Sequence, residues 1–362
     1  MQPFNYFQKF LPYYSDRYLF TLCPKERIED VVTFIDTYWK KNHAFVVSRT
    51  LLDWQYYNTK ADCYNIAVAI QKETAEIHAM VGITCTSHFD PAITKPVRWG
   101  SLLKIRPDAE PGLGMMVEWY KNESTYACAD VGLGESPTAI QLANKTGATT
   151  GVADQYYILH PTKRSFCLID RAEGAPRHNP MAQISTKEFR SYSAEDFVNL
   201  EGAVLEAIPY FKSKIYYINR YFNHPIYHYH ATGILGLTGS CDGVIFWRTC
   251  KARGAKCIRI IDYFGLKGAL EGCLRNFNTL LQKWDAEYVD FLCVGMPAKE
   301  LAQGGFVERH SVSGLIIPNY FEPFVQQNID VTYSHMGASE AKVIFKGDSD
   351  QDRPNLLMQE TI

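Results

Sequence analysis

Apolar residues recur along the chain with two different periods. Over residues 24–39 they fall at Ile28, Val31, Val32, Phe34, Ile35, Tyr38 and Trp39. That helical spacing predicts an amphipathic helix with Pro24 in its opening turn. Residues 65–70 and 77–85 are apolar runs of β type around the polar stretch QKETAE, which predicts a hairpin. Residues 99–106 read as a third strand, Pro111-Gly112-Leu113-Gly114 interrupts, and residues 115–121 read as helix. A short buried strand over 126–131, a helix over 138–145 stopped at Gly147, and a strand over 152–159 complete the series.

The second half repeats this order with less decoration. A helix over 195–210, strands over 244–249 and 256–262, and a long helix over 266–284 come first. A strand over 289–294, a short helix over 298–303 stopped at Gly304-Gly305, and a last strand starting over 306–310 follow. Local matches keep nearly one register: Gln55-Tyr56-Tyr57-Asn58 with Arg220-Tyr221-Phe222-Asn223, Thr84-Cys85 with Thr249-Cys250, and Val131-Gly132 with Val294-Gly295. Two copies of one α+β fold are expected, each a mixed β-sheet flanked by helices. The expected division is a first domain over 1–170, a polar linker over 171–193, a second domain over 194–346 and a tail over 347–362.

Composition agrees with a folded protein of two ordinary cores or one large α/β domain: 362 residues, 46% hydrophobic and 21% charged. A formal net charge of −2 argues against nucleic acid as a partner, because phosphate neutralisation needs an excess of Lys and Arg. The ten cysteines form no C-x-x-C pair, so reduced thiols are expected and no metal site is visible. No signal peptide and no membrane-length apolar run is present, which predicts a cytoplasmic protein with no membrane partner. Aromatics are in surplus at 14%, enough for a heavily packed core or for a ring-stacking surface.

The glycine turn carries the candidate chemistry. A strand that ends in such a turn and runs into a helix presents unpaired N–H groups at a positive helix end, which suits an anion. Residues 106–115 fit that description; a plain tight turn is the alternative. A Rossmann site would need a G-x-G-x-x-G run with an acidic residue about 20 positions on, and none is present.

With Gly112-Leu113-Gly114 at this turn, the order of elements resembles the GCN5-related N-acetyltransferase (GNAT) superfamily, whose members hold the pyrophosphate of coenzyme A there. Ala109 stands where the family carries a basic residue. The resemblance implies an acyl-CoA cosubstrate held by Ile105, Gly112, Leu113, Gly114, Met115, Gly132 and Lys145. The second copy has Asp262 before its corresponding turn, so only the first copy is expected to bind coenzyme A. The segments around Leu51–Tyr56, Arg220–Pro225 and Ile317–Pro323 resemble tandem-GNAT enzymes of bacterial surface-polysaccharide pathways.

This likeness implies transfer of a 3-hydroxybutanoyl or acetyl group to the amine of a dTDP-linked 3-amino-3,6-dideoxyhexose, by direct attack in a ternary complex. Trp54, Tyr56, Arg220, Tyr221, Asn223, His224, Tyr227, Asn319, Tyr320 and Glu322 are the expected contacts of that nucleotide sugar. Proton acceptors are sought among His43, His88 and Asp130, against ordinary structural roles for each. A peptidoglycan-type aminoacyltransferase and a non-catalytic acyl-CoA sensor are the alternatives, and a monomer or homodimer is expected.

Overall fold

The computed structural model describes residues 5–184, 187–321, 324–352 and 356–357. Two compact units emerge, one from the chain up to Gly151 together with Thr332–Ala338, the other from Val152–Val331 and the segment beginning at Ser339. Each is built on an eight-stranded sheet.

In the first unit the spatial strand order is Tyr18–Pro24, Cys63–Gln71, Ile77–Cys85, Val97–Ile105, Ala129–Leu133, Thr332–Gly337 and Thr149–Val152, with Tyr57–Asn58 paired to Cys63–Gln71. The Val97–Ile105 and Ala129–Leu133 strands run parallel, whereas the hairpin strands pair antiparallel. The hairpin forms as expected, its strands buried almost end to end because helices cover the sheet. On one face, Leu113, Met116 and Val117 of the helix Leu113–Ser124 pack on Ala67, Ala69, Ala79 and Val81. Alanines in the strands let that helix approach closely. The expected helix over 24–39 becomes a short 3₁₀ turn at Lys25–Arg27, the α-helix Ile28–Phe34 and a wider π turn at Ile35–Trp39. Pro24 ends the strand Tyr18–Pro24.

The second unit runs Val307–Glu308, Asp154–Leu159, Tyr288–Val294, Ala255–Gly265, Cys241–Ala252, His230–Leu235 and Glu188–Tyr192, with Ile344–Phe345 paired to Tyr288–Val294. Two expectations change here. The helix expected over 195–210 is only Ala194–Val198, capped at Asn199, and Gly202 at φ +99 opens a separate 3₁₀ turn at Ala203–Ala207. Gly268 and Gly272, at φ +78 and +76, delay the long helix to Leu274–Trp284. Left-handed glycines stop a right-handed helix.

The main correction concerns residues 152–159, expected to close the first sheet. The strand Asp154–Leu159 lies instead in the second sheet, hydrogen-bonded between Tyr288–Val294 and Val307–Glu308. The strand Thr332–Gly337 takes a reciprocal place in the first sheet, between Ala129–Leu133 and Thr149–Val152. The two halves thus exchange a strand, and each sheet satisfies its backbone groups with chain from the other half.

Candidate active site

In the first unit the parallel strands pair only over Val97–Trp99 and Ala129–Val131. Beyond those residues they part, so the sheet opens as a fork. Gly100 and Gly132 are the first residues on the two arms. A Cβ on Gly100 would lie 3.2 Å from Lys121 Nζ, and one on Gly132 would fall on the Glu135 carboxylate. Farther along the first arm, Leu102 adopts φ +53. The ladder to the neighbouring strand slips by one residue there, Ser101 facing Gly82 and Lys104 facing Met80. A left-handed leucine costs roughly 1–3 kcal/mol and persists only where its surroundings fix it, and a bulge takes a backbone unit out of the ladder. Opposite the helix Leu113–Ser124, Gln55 Nε2 donates to the Tyr56 hydroxyl (3.1 Å), which lies 2.7 Å from Ser101 Oγ. Gly82 leaves room for that hydroxyl.

The glycine turn closes the same arm. Gly112, at φ +87, is the N-cap of the helix Leu113–Ser124. A side chain on it would be strained and would meet the Tyr14 hydroxyl. Tyr13 donates to Glu110 and Tyr14 to the Pro111 carbonyl, each at 2.5 Å. Bare Gly114 lies against Ile105, to which a Cβ would come within 2.9 Å. Leu113 is buried, while Ile105 and Met115 are half-buried and Leu142 of the helix Pro137–Lys145 packs against the same cluster. Lys145 is exposed at that helix's end. Arg106 offers no free cation to the turn, because it is bonded to Asp108 and Glu76 at 2.7 Å.

A charged cluster lies beneath the fork. Lys121 pairs with Glu118 at 2.7 Å and Asp130 at 3.0 Å, and Arg98 pairs with Asp130 at 3.2 Å. Burial alone would raise the Asp130 pKa, but Lys121 and Arg98 outweigh it and hold the carboxyl below its ordinary value. Glu135 goes the other way. Burial raises its pKa, Glu118 and Asp130 add to the rise, and Ser334 and Lys121 oppose it. Its Oε2 is buried without a hydrogen-bond partner. Neither Glu135 nor Lys121 was singled out from the sequence; the available signal was a carboxylate one residue beyond Gly132-Leu133-Gly134, at the end of an apolar strand.

The three residues sought as proton acceptors are all engaged elsewhere. His43 is buried as a helix N-cap, its Nδ1 accepting from the Phe45 N–H. His88 contacts the Trp54 carbonyl through Nε2 at 2.9 Å and Asn65 through Nδ1 at 3.5 Å, and burial lowers its pKa. Asp130 is held by its two cations. Trp54 packs against Phe89, and Tyr56 is fully buried.

The expected nucleotide-sugar residues of the second unit are largely spent on internal bonds. Arg220 is buried against Asp352 at 2.9 Å and the carbonyls of Gly347 and Ser349. The Tyr221 hydroxyl donates to Asp262, and its ring joins a packed cluster with Tyr217 and Phe246. Tyr227 is buried beneath the Arg248 guanidinium, which lies 4.6 Å from its ring centre. His224 Nδ1 accepts the N–H groups of Ile226 and Tyr227, and burial with Arg220 and Arg248 pushes its pKa down to about 2. Asn319 is buried, donating to Ile329 and accepting from Lys346. Asn223 is exposed and Tyr320 half-buried in a short strand; Glu322 lies outside the described residues.

The second unit has its own fork, and its own chain fills it. The strands Ala255–Gly265 and Tyr288–Val294 pair in parallel only over Ile258–Ile260 and Val289–Phe291. Beyond that point Ile344–Phe345 pairs with Cys293–Val294 on one arm, and the Gly347 N–H donates to Ile261 on the other at 2.8 Å. Ile261 and Leu292 stand where the first fork has its glycines. Asp348 and Asp262 both pair with the buried Lys212.

No family model and no curated protein matches the sequence. Solved structures do match in shape. A GCN5-related N-acetyltransferase from Anabaena variabilis superposes with a TM-score of 0.52 at 10% identity, covering 88% of this chain and 72% of its own. A probable N-acyltransferase of unknown function from Enterococcus faecalis gives 0.50 at 10% identity, covering 87% and 72%. Both units have a GNAT-like fold, a mixed sheet flanked by helices. The GCN5-related glucosamine N-acetyltransferase region of a fungal multi-domain β-N-acetylglucosaminidase gives 0.51 at 9% identity, covering 88% of this chain and 38% of that one. In GNAT topology, then, the first unit keeps an open fork and the second closes its own.

Proposed function

We propose that the first unit is an acyl-CoA-dependent N-acyltransferase. The observation that carries this reading is the open fork with the left-handed Leu102 bulge on one arm and a glycine turn at its end. The pyrophosphate sits on the Gly112–Met115 turn on the side of Lys145, and the pantetheine arm runs past Ile105 towards Gly132 and Leu102. The thioester carbonyl meets backbone N–H groups released near Leu102, positioned in advance of the charge they stabilise. An amine held beside the thioester attacks directly, and proximity supplies much of the remaining acceleration.

The acceptor in this reading is the amine of a dTDP-linked 3-amino-3,6-dideoxyhexose, and the group carried is 3-hydroxybutanoyl or acetyl. The segment resemblances to polysaccharide-pathway enzymes support a sugar amine, as does the likeness to a region that acetylates glucosamine. Thiol release tests the proposal: acetyl-CoA or 3-hydroxybutanoyl-CoA with this nucleotide sugar should release coenzyme A well above the hydrolysis rate. Equal release without the sugar would reject the acceptor, and no release with any amine would reject the transferase.

A further inference from the structure

We propose that Glu135 takes the proton of the attacking amine and hands it to the departing thiolate, a role that rests on the acyl-transfer reading above. The geometry begins with the two glycines of the fork. Gly132 is the first residue of its arm beyond the paired stretch, and the Glu135 carboxylate occupies the space its side chain would need. Gly134, at φ +74, turns the chain so that Glu135 folds back over the strand it has just left. Any larger residue at position 132 would expel the carboxylate from the fork.

The groups around Glu135 favour proton exchange. Glu118 and Lys121 face it from the helix Leu113–Ser124, Asp130 from its own strand, and Ser334 from the inserted strand. Oε2 has no hydrogen-bond partner, so one carboxylate oxygen is left to receive a proton. Asp130, two residues from Gly132 on the same face, is locked in its ionised form by Lys121 and Arg98. Two carboxyl groups in one site with proton affinities pushed apart is the arrangement by which active sites separate a proton carrier from a fixed charge.

The step balances within the site. The neutral amine nitrogen bonds to the thioester carbonyl carbon, and its N–H proton passes to Glu135. The C–S bond then breaks with its electron pair on sulfur, Glu135 returns the proton to that sulfur, and amide and free thiol leave.

The test is the pH dependence of thiol release, using acetyl-CoA and the dTDP-linked aminohexose with the full chain. Glu135→Gln should lower kcat by about a hundredfold or more, remove the acidic limb of the kcat profile, and leave the acyl-CoA dissociation constant unchanged. Ser334 faces Glu135 from the inserted strand and favours its carboxylate form, so Ser334→Ala should move the acidic limb to higher pH while activity persists. Glu135→Gln with wild-type kcat and profile, or an acidic limb unmoved in Ser334→Ala, would overturn the role of Glu135 with the transferase reading intact. Absence of thiol release in the wild type with every amine would remove that reading, and this role with it.

Discussion

Leu102 and His230 show how far single residues depart from their intrinsic preferences when packing requires it. Leu102 is buried at φ +53 in the middle of a strand, a conformation no propensity scale anticipates, because the slip opposite Gly82 imposes it. His230 stacks on Trp247 at 4.2 Å between ring centres and meets Trp284 edge-on at 4.8 Å. Burial, with His228 and Lys283 nearby, pushes its pKa down to about 4. An unfolded histidine titrates near 6.5. Below that pH the unfolded chain takes up a proton that the folded one refuses, so this residue costs stability progressively as pH falls from about 6.5 to 4, and no further below. NMR titration of the ring should give a midpoint near 4; a midpoint near 6.5 would show that the stack does not exclude the charged form.

The C-terminal segment that fills the second fork is held by buried charge. Lys212 bridges Asp262 and Asp348, and burial drives the Asp348 pKa up to about 6 despite the ammonium beside it. Removing one member of a buried ionic group leaves the others uncompensated, typically at about 3–5 kcal/mol. Lys212→Ala should therefore lose about that much in urea unfolding; a loss under about 1 kcal/mol would mean that water already reaches the triad. At this scale the sequence was legible where elements are apolar and local. The hairpin of Cys63–Gln71 and Ile77–Cys85, the helix Pro137–Lys145 and the glycine turn all appear where periodicity put them. The strand partners were not legible. Asp154–Leu159 reads as a strand in the sequence, but the sheet it joins depends on which edge offers free N–H and C=O groups, and periodicity carries no such information. Tyr221, placed in advance on a stacking surface, instead packs with Tyr217 and Phe246, since an aromatic stripe looks the same whether it faces a ligand or a core.

At the scale of the whole chain, two GNAT-like units have unequal forks. One keeps Gly100 and Gly132 on its arms; the other has Ile261 and Leu292 and is stitched shut through Ile344–Phe345 and Gly347. The repeat was readable from paired segments such as Gln55–Asn58 and Arg220–Asn223, but Asp262, expected at the second turn, lies inside the strand Ala255–Gly265 with its carboxylate on Lys212. What closes the second fork was not readable, because the closing segment lies some eighty residues downstream of Ile261 and reaches it only through long-range packing. Calorimetric titration with acetyl-CoA tests this most directly. One molecule should bind per chain, and Gly114→Asp, which sets a carboxylate at the glycine turn against Ile105, should abolish that binding while the protein stays folded by circular dichroism. Two sites per chain, or undiminished binding in Gly114→Asp, would contradict the assignment of acyl-CoA to the first fork.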